Sequence, residues 1–222
     1  KEMVTAFIRL NGETVGAVAN QPVDGESVLT RNGLEKAERF IKFCDAFSIP
    51  LLTVTNVTGL RANAHEERKQ ALALAKFTTT LAQVSVPRIN LIAGEAYGTA
   101  AEVMNSKAIG ADFVLAWPQA SVGMMDAEQA VRIMYAEEIN TDKNKTALIA
   151  EKTAEYAEGQ SSALAAAKRG YIDDIIEPDA TRKRLIAAYE MLYGKKVTPV
   201  TKKSPYRTRS LSLLLYSSKY ML

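Results

Sequence analysis

Histidine, cysteine and tryptophan each occur only once among the 222 residues, which limits the chemistry that the chain can support. A lone Cys44 forms no intramolecular disulfide, and we interpret it as a core residue. Without further thiolates or histidines we expect no metal site. His65 falls in a charged, helix-like segment and is a poor member of a Ser-His-Asp arrangement. Multi-histidine metal centres and hydrolytic triads are therefore disfavoured.

Long apolar runs are also missing. No run approaches the roughly 18 residues that a membrane span needs, and residues 1–3 do not begin a signal peptide. We expect a soluble, cytoplasmic protein without membrane insertion. The formal charge of +3 gives no basic footprint for nucleic acid, because Lys202, Lys203, Arg207, Arg209 and Lys219 place the excess in a short terminal segment.

Strand-like and helix-like segments alternate up to about residue 144. Two apolar, β-branched runs, 4–10 and 14–20, are separated by Asn11-Gly12, a dipeptide that predicts an antiparallel hairpin. The next segments predict helices and short buried strands in alternation. The helices cover 33–47, 65–84 and 126–135, and the strands cover 51–55, 88–93 and 112–116. This order predicts an α/β fold in which helices are stacked on a mostly parallel sheet.

Beyond residue 144 the pattern becomes helical, over 145–158, 161–169 and 179–193. We expect these C-terminal helices to pack on the core or on a partner subunit. The composition predicts one domain over 1–196, followed by a basic, poorly ordered tail over 197–222.

Three glycine-containing turns follow predicted strands. In LIAGEAYGTAAEVMNSK we expect the strand to end near Ala93, Gly94 to permit a turn, and residues 97–100 to open a helix whose first amides lack intrahelical partners. Such amides can stabilise an oxyanion, although close packing of helix on sheet would also explain the glycines. The other turns are Thr58-Gly59 and the segment before Asp126. Parallel strands would bring all three turns to one edge and a shared pocket.

Four segments, in this order, resemble the carboxyltransferase β-type subunits. They are GETVGAVANQP (12–22), KAERFIKFCDAFSIPLLTVTNVTGL (36–60), AYGTAAEVMNSKAIGADFVLAWPQA (96–120) and RGYIDDIIEPDATRKRLIAAYEML (169–192). That family includes the propionyl-CoA carboxylase β subunit and subunits of methylmalonyl-CoA and glutaconyl-CoA decarboxylases. The resemblance covers about residues 5–196, and it is to the second of the family's two crotonase-like domains only.

The resemblance implies a crotonase-like fold and an enzyme that moves a carboxyl group between biotin and a short acyl-CoA such as acetyl-, propionyl- or methylmalonyl-CoA, in either direction. Biotin would arrive as carboxybiotin on a biotin carboxyl carrier protein. Active sites of the family lie between the first domain of one subunit and the second domain of another. The implied partners are therefore an N-terminal carboxyltransferase half and further copies, in a dimer or a trimer of dimers.

The resemblance also implies roles for residues. Tyr97-Gly98-Thr99-Ala100 is similar to the family's AYGGA-type motif, so the backbone amides of Gly98, Thr99 and Ala100 are the implied oxyanion hole for biotin's ureido carbonyl. Glu102 matches a position that lines the acyl pocket. The implied cofactor-binding residues are Tyr97, Gly59, Met124 and Met125. Thr99, Thr58 and Asp126 depart from the usual residues of the family, which favours a sub-branch over an inactive relative.

Two other functions stay open at this point. A stand-alone crotonase-type enoyl-CoA hydratase or isomerase would need a carboxylate near the oxyanion hole, and Glu95 and Glu102 are the nearby candidates. A non-catalytic oligomerisation module would use the helices over 145–193 to hold a larger assembly.

Overall fold

The computed structural model describes residues 1–195, and the tail predicted over 197–222 lies outside the described residues. Strands β1 (Met3–Leu10) and β2 (Glu13–Asn20) form the expected antiparallel hairpin, with Leu10 opposite Glu13. Asn11 and Gly12 between them have φ values of 50° and 86°. Two successive positive φ angles are what a tight hairpin turn requires, so the Asn-Gly prediction is confirmed.

The remaining elements alternate between strands and helices, as the sequence predicts. In chain order the first group is β3 (Val28–Leu29), α1 (Arg31–Ala46), β4 (Leu51–Val57), β5 (Gly59–Leu60), α2 (Ala64–Gln83), β6 (Arg88–Tyr97), α3 (Gly98–Val103), β7 (Phe113–Ala116) and β8 (Ser121–Gly123). The second group is α4 (Ala127–Met134), α5 (Ala136–Thr141), α6 (Lys145–Tyr156), a π-helical turn (Ala157–Ser161), α7 (Ala163–Lys168), β9 (Asp174–Ile175) and α8 (Thr181–Leu192).

A seven-stranded sheet organises the molecule, in the order β1-β2-β4-β6-β7-β9, with β8 paired to the end of β6. The β1–β2 pair is antiparallel, and every other pair in this sheet is parallel. Parallel strands place all their carboxyl ends at one edge. The α/β fold class is therefore confirmed, and the turns after β4, β6 and β7 leave the sheet at the same edge.

Side chains of opposite faces of the sheet enter different apolar layers. Leu51 packs with α1 and α2, through residues such as Ile41 and Phe77. Its neighbour Leu52 packs on the other face, against Leu185 of α8. Burying both faces explains why the parallel strands read as continuous apolar runs. Cys44 is fully buried in the first layer, and its burial raises the pKa of the thiol to about 11.

One predicted boundary was wrong. Gly94 does not permit a turn; strand β6 continues through it to Tyr97. A Cβ on Gly94 would lie 2.6 Å from Oδ1 of Asn56, and that oxygen accepts a hydrogen bond from the Glu95 N–H at 3.0 Å. The glycine therefore makes room for a side chain of the neighbouring strand, and the turn comes four residues later.

Helices α6, α7 and α8 confirm the helical character predicted beyond residue 144. No sequence pattern indicated the π-helical turn that joins α6 to α7, or the short strands β8 and β9. Among residues 1–195, no helix combines the length and apolar character needed to cross a bilayer.

Candidate active site

A cavity of about 370 Å³ lies at the carboxyl-terminal side of the parallel strands, between α3 and the segment around α7. This size is within the range of roughly 300–1,000 Å³ that small-molecule sites occupy. The sheet supplies the floor of the cleft through Thr55, Asn90, Ile92 and Val114. The walls come from α3, from the β8 loop and from the residues that flank α7. The predicted shared pocket includes the turns that follow β6 and β7, through Gly98 and Gly123, but not the Thr58-Gly59 turn that follows β4.

Gly98 makes the sharp exit from β6 possible. Its φ is +58°, and a Cβ placed on it would lie 3.0 Å from the carbonyl oxygen of Met124 in the β8 loop. A residue with a side chain would be strained there by the backbone angle and crowded by the carbonyl. Gly98 lines the cleft, so the start of α3 is held directly at its wall.

The first amides of α3 have no partner within the described residues. Helix α3 begins at Gly98 without a side-chain cap, and within residues 1–195 neither the Thr99 nor the Ala100 N–H donates to a loop carbonyl or to a side chain. The first turn of a helix also offers these groups no intrahelical acceptor. The cleft is lined by residues on both sides of this pair, Gly98 and Ala101, although Thr99 and Ala100 are not themselves lining residues. Two unspent donors at a helix start are suited to an oxygen that carries negative charge.

The Tyr97 side chain has a different position from the amides that follow it. Its ring is buried, and its hydroxyl donates a 3.0 Å hydrogen bond to Oγ of Ser121 in β8. Burial raises the pKa of Tyr97, so the hydroxyl stays protonated around neutral pH. The side chain is not among the lining residues of the cleft. Its contacts instead fix the end of β6 to β8.

The other residues to which the family resemblance gives a role lie either at the cleft or in a separate small sheet. Met124 and Glu102 line the cleft, with Met124 80% exposed and the Glu102 carboxylate accepting a 2.8 Å hydrogen bond from Ser106. Met125 follows in the same loop and is half-buried. Gly59 pairs with Val28 in a separate two-stranded sheet and does not line the cleft.

The two candidates for the single carboxylate that the hydratase or isomerase alternative needs lie in different places. Glu95 is exposed and lines a second, shallower depression with Thr58, Leu60 and Arg61. Glu102 alone of the two reaches the cleft, where Ser106 is its partner. The geometry therefore offers one carboxylate, on the rim and hydrogen-bonded.

Two cations lie at the rim of the cleft, and both have partners. Lys107 forms an ion pair with Asp173, and Arg169 donates to the Gln160 carbonyl at 2.9 Å and to the side chain of the same residue. Both cations are exposed, so each pair contributes little to stability. They leave the mouth of the cleft polar while its interior is mostly apolar.

Polar residues at the floor were missed by the sequence analysis. Thr53 and Thr55 on β4 and Asn90 on β6 are almost completely buried, and both threonine hydroxyls lie within hydrogen-bond distance of Asn90 Oδ1, at 3.1 and 2.8 Å. The only available signal was the presence of Thr and Asn within otherwise apolar strands. That signal does not say that these side chains meet, since the strands are far apart in sequence.

Comparison with known proteins gives a consistent result. Residues 1–206 match the family described as the carboxyl transferase domain. The chain is 43% identical over 196 residues to a putative propionyl-CoA carboxylase beta chain of Bacillus subtilis, covering 88% of this chain and 39% of that protein. It is 39% identical over 197 residues to the methylmalonyl-CoA decarboxylase subunit alpha of Propionigenium modestum, covering 88% and 38%.

Solved structures agree with the sequence matches. The transcarboxylase 12S structure with methylmalonyl-coenzyme A and methylmalonic acid bound superposes with a TM-score of 0.86 at 37% identity, over 91% of this chain and 39% of that one. The beta subunit of geranyl-CoA carboxylase from P. aeruginosa shares the fold, with a TM-score of 0.72 at 23% identity. The chain thus spans about two-fifths of the length of the relatives that it matches.

Proposed function

The chain belongs to the carboxyl transferase family, and on that premise we propose that it is the biotin-facing, C-terminal half of an acyl-CoA carboxyltransferase or decarboxylase subunit. In this role it takes part in moving a carboxyl group between biotin and the α-carbon of a short acyl-CoA. The substrate class is a short acyl-CoA: the names of its relatives support propionyl- and methylmalonyl-CoA, and acetyl-CoA is the next smaller member of the class.

The observation that carries this proposal is the pair of free N–H groups of Thr99 and Ala100, which lie between two residues that line an apolar cleft, Gly98 and Ala101. A cyclic urea suits this arrangement, because its carbonyl oxygen accepts two hydrogen bonds while its ring packs against apolar side chains. Ile92, Ala96 and Val122 supply such a surface in the cleft. The residues present therefore fit biotin.

The chemistry of the site is electrostatic. Biotin, when bound, supplies the transferable carboxyl group and a ureido oxygen that becomes more negative as that group leaves. The Thr99 and Ala100 N–H groups stabilise this negative oxygen more strongly than the neutral one, which lowers the barrier to transfer. Gly98 fixes where these donors lie, and Tyr97 anchors the strand before them.

The roles proposed for other residues follow from their positions. Glu102 and Met124 contact the ligand at the wall of the cleft, and Met125 supports the loop that carries Met124. Gly59 lies outside the cleft, in the β3–β5 sheet. Its proposed role in cofactor binding requires a partner domain that extends the site toward this sheet.

The proposed partners are an N-terminal carboxyltransferase half, a biotin carboxyl carrier protein and further copies of the chain. Two observations support them: the chain spans about two-fifths of its relatives, and its structural neighbour transcarboxylase 12S forms a hexamer assembly and binds substrate in a multienzyme core. We place the protein in the cytoplasm, where acyl-CoA substrates are available. The tail over 197–222 receives no function.

The experiment that tests the function is carboxyl exchange between biotin and malonyl-CoA or methylmalonyl-CoA, with the chain reconstituted with a complementary N-terminal half. Thr99→Pro deletes one N–H in the first helical turn, where proline is tolerated. We expect turnover to fall by about 100-fold or more, as for loss of one oxyanion donor. Thr99→Ala is the matched control, because it removes the side chain and keeps the N–H, and it should retain nearly full activity. Equal turnover in the proline variant and the wild type would reject the assignment.

A further inference from the structure

Asn90 lies at the floor of the cleft, and its surroundings set its orientation. The residue is only 2% exposed, yet it is among those that line the cavity. It extends from β6 between β4 and β7, so its position is determined by the central strands of the sheet. A polar side chain this deeply buried requires hydrogen bonds to compensate for lost water.

The oxygen of the Asn90 side-chain amide has hydrogen-bond partners within the protein. Asn105 Nδ2 donates to Thr53 Oγ1 at 3.1 Å, and the Thr53 hydroxyl in turn donates to Asn90 Oδ1 at 3.1 Å. The Thr55 hydroxyl donates to the same Oδ1 at 2.8 Å. The two hydroxyls also lie 3.3 and 3.4 Å from the Ile89 and Met104 carbonyls, but both are closer to Asn90 Oδ1. The shorter distances favour the amide orientation in which the oxygen faces the threonines.

The nitrogen of the same amide, Nδ2, has no hydrogen-bond acceptor among the described residues. This nitrogen is not sealed from solvent. In the same cluster, Asn105 Oδ1 also has no partner, but that atom is completely buried. Because Asn90 lines the cavity, its free donor is accessible from the cleft.

We propose that Asn90 is a ligand-binding residue, whose Nδ2 donates a hydrogen bond to an oxygen of the molecule bound in the cleft, either a carbonyl or a carboxylate oxygen. This inference rests on the proposed function, which supplies two ligands with such oxygens, biotin and a carboxylated acyl-CoA. It adds to the oxyanion hole a second point of recognition, from the floor of the cleft. The two points together would orient a ligand, whereas the apolar walls alone would not.

The most direct probe of this donor is Asn90→Asp. The substitution keeps the shape of the side chain and an oxygen that accepts from Thr53 and Thr55, but it replaces the donor nitrogen by an acceptor. Calorimetric titrations with biotin and with malonyl-CoA, of the chain reconstituted with a complementary N-terminal half, would measure the dissociation constants. We expect the affinity to fall by about 10- to 100-fold, because the new carboxylate oxygen repels the ligand oxygen and leaves it without a hydrogen bond. Affinity should recover as pH falls, because the protonated carboxyl group can donate again.

The matched control is Asn105→Gly. Asn105 belongs to the same cluster but does not line the cavity, and its φ of 63° suits glycine. This variant should bind both probes within twofold of the wild type. An equal loss in Asn105→Gly and Asn90→Asp would assign the effect to packing and overturn the inference.

The remaining outcomes separate the inference from the proposed function. A loss limited to biotin, or to malonyl-CoA, supports the inference and identifies which ligand places its oxygen on the floor. Unchanged affinity of Asn90→Asp for both probes overturns the inference, while the oxyanion assignment at Thr99 and Ala100 would remain. A wild-type chain that binds neither probe when reconstituted with the N-terminal half overturns the proposed function, and with it the role of Asn90.

Discussion

The two edges of the parallel sheet differ in how far their polar groups are hydrogen-bonded within the protein. At the edge where the parallel strands begin, two aspartates accept hydrogen bonds from neighbouring segments, although the buried Nε of Arg88 has no partner among the described residues. At the edge where the strands end, several hydrogen-bond donors have no protein partner among residues 1–195. The difference separates the part of the molecule that maintains the fold from the part that is available to a ligand.

Two aspartates organise the first edge. Asp45 Oδ1 accepts hydrogen bonds from the N–H and the hydroxyl of Ser85, at 2.8 and 2.9 Å. Asp112 Oδ2 accepts from the N–H of Arg88 and from Nζ of Lys195, each at 2.8 Å. Burial lowers the pKa of the Arg88 guanidinium, and the two aspartates oppose that effect. These contacts tie α1, β6, β7 and the end of α8 together.

The second edge contains the N–H groups of Thr99 and Ala100, and the cleft beside it contains Asn90 Nδ2. The buried hydroxyl of Ser161, in the π-helical turn, also has no partner among the described residues. Unpaired buried groups cost stability. Buried polar atoms without a partner also occur at Arg31, Arg61, Arg88 and Thr153, so what distinguishes the second edge is a free donor that opens on the cleft, Asn90 Nδ2.

The largest effect on stability is expected at the paired edge, from Asp112→Ala. This change leaves the Arg88 N–H and the Lys195 ammonium without their acceptor, and we expect a loss of about 2–3 kcal/mol in the free energy of unfolding. Urea denaturation followed by circular dichroism measures it. The exposed Asp179→Ala should change stability by less than about 0.5 kcal/mol. A loss below about 1 kcal/mol for Asp112→Ala would remove the contrast between the edges.

At the ligand edge, Gly98→Ala should affect both stability and activity. We expect a loss of about 1–2 kcal/mol, because alanine is strained at a φ of +58° and its Cβ meets the Met124 carbonyl. Carboxyl exchange should fall further than stability explains, since the start of α3 moves. Gly12→Ala is the control, because its φ is also positive but nothing lies within 4 Å of the added Cβ. Equal exchange activity in both variants would contradict a positioning role for Gly98.

Alkaline pH should lower the stability of the fold by a smaller amount, through Tyr189 at the edge where the parallel strands begin. Burial raises the pKa of Tyr189 well above its ordinary value of 10.0, and its hydroxyl donates a 2.6 Å hydrogen bond to the Leu51 carbonyl. The unfolded chain therefore loses this proton first. The stabilisation is complete below about pH 10 and declines as pH rises toward the folded-state pKa.

Unfolding measured between about pH 8 and pH 11 checks this sign. The wild type should lose stability toward the alkaline end. Tyr189→Phe should start about 1 kcal/mol less stable at the lower pH, and it should lose less on raising the pH. A wild-type profile that is flat or rises would refute the interpretation. Tyr97, whose pKa is raised in the same direction, contributes with the same sign.

Much of the architecture could be predicted from local sequence. Asn11-Gly12 indicated the hairpin because that dipeptide adopts the positive φ angles of a tight turn. The apolar run 51–55 indicated a buried parallel strand for the same kind of local reason. Gly94 shows the limit of such reasoning. Its lack of a side chain serves a neighbouring strand through Asn56, and no local pattern distinguishes that use from a turn.

The site was predictable only in its backbone part. The motif around residues 97–100 indicated the start of a helix, and α3 does begin at Gly98 without a side-chain cap. The oxyanion role of the amides that follow stays a prediction. The floor of the cleft depends on Thr55 and Asn90, which are 35 positions apart in the chain and become neighbours only through strand pairing. Gly59 illustrates the converse, because it follows a parallel strand but turns away into a separate small sheet.

Amide hydrogen exchange, followed by NMR, tests the central claim most directly. In the free chain, the Thr99 and Ala100 amides should exchange rapidly, whereas the Ser85 and Arg88 amides, which donate to Asp45 and Asp112, should be protected. On saturation with biotin, the Thr99 and Ala100 signals should shift and slow while the other two stay unchanged. Protected Thr99 and Ala100 amides in the free chain, with no response to biotin, would contradict the account.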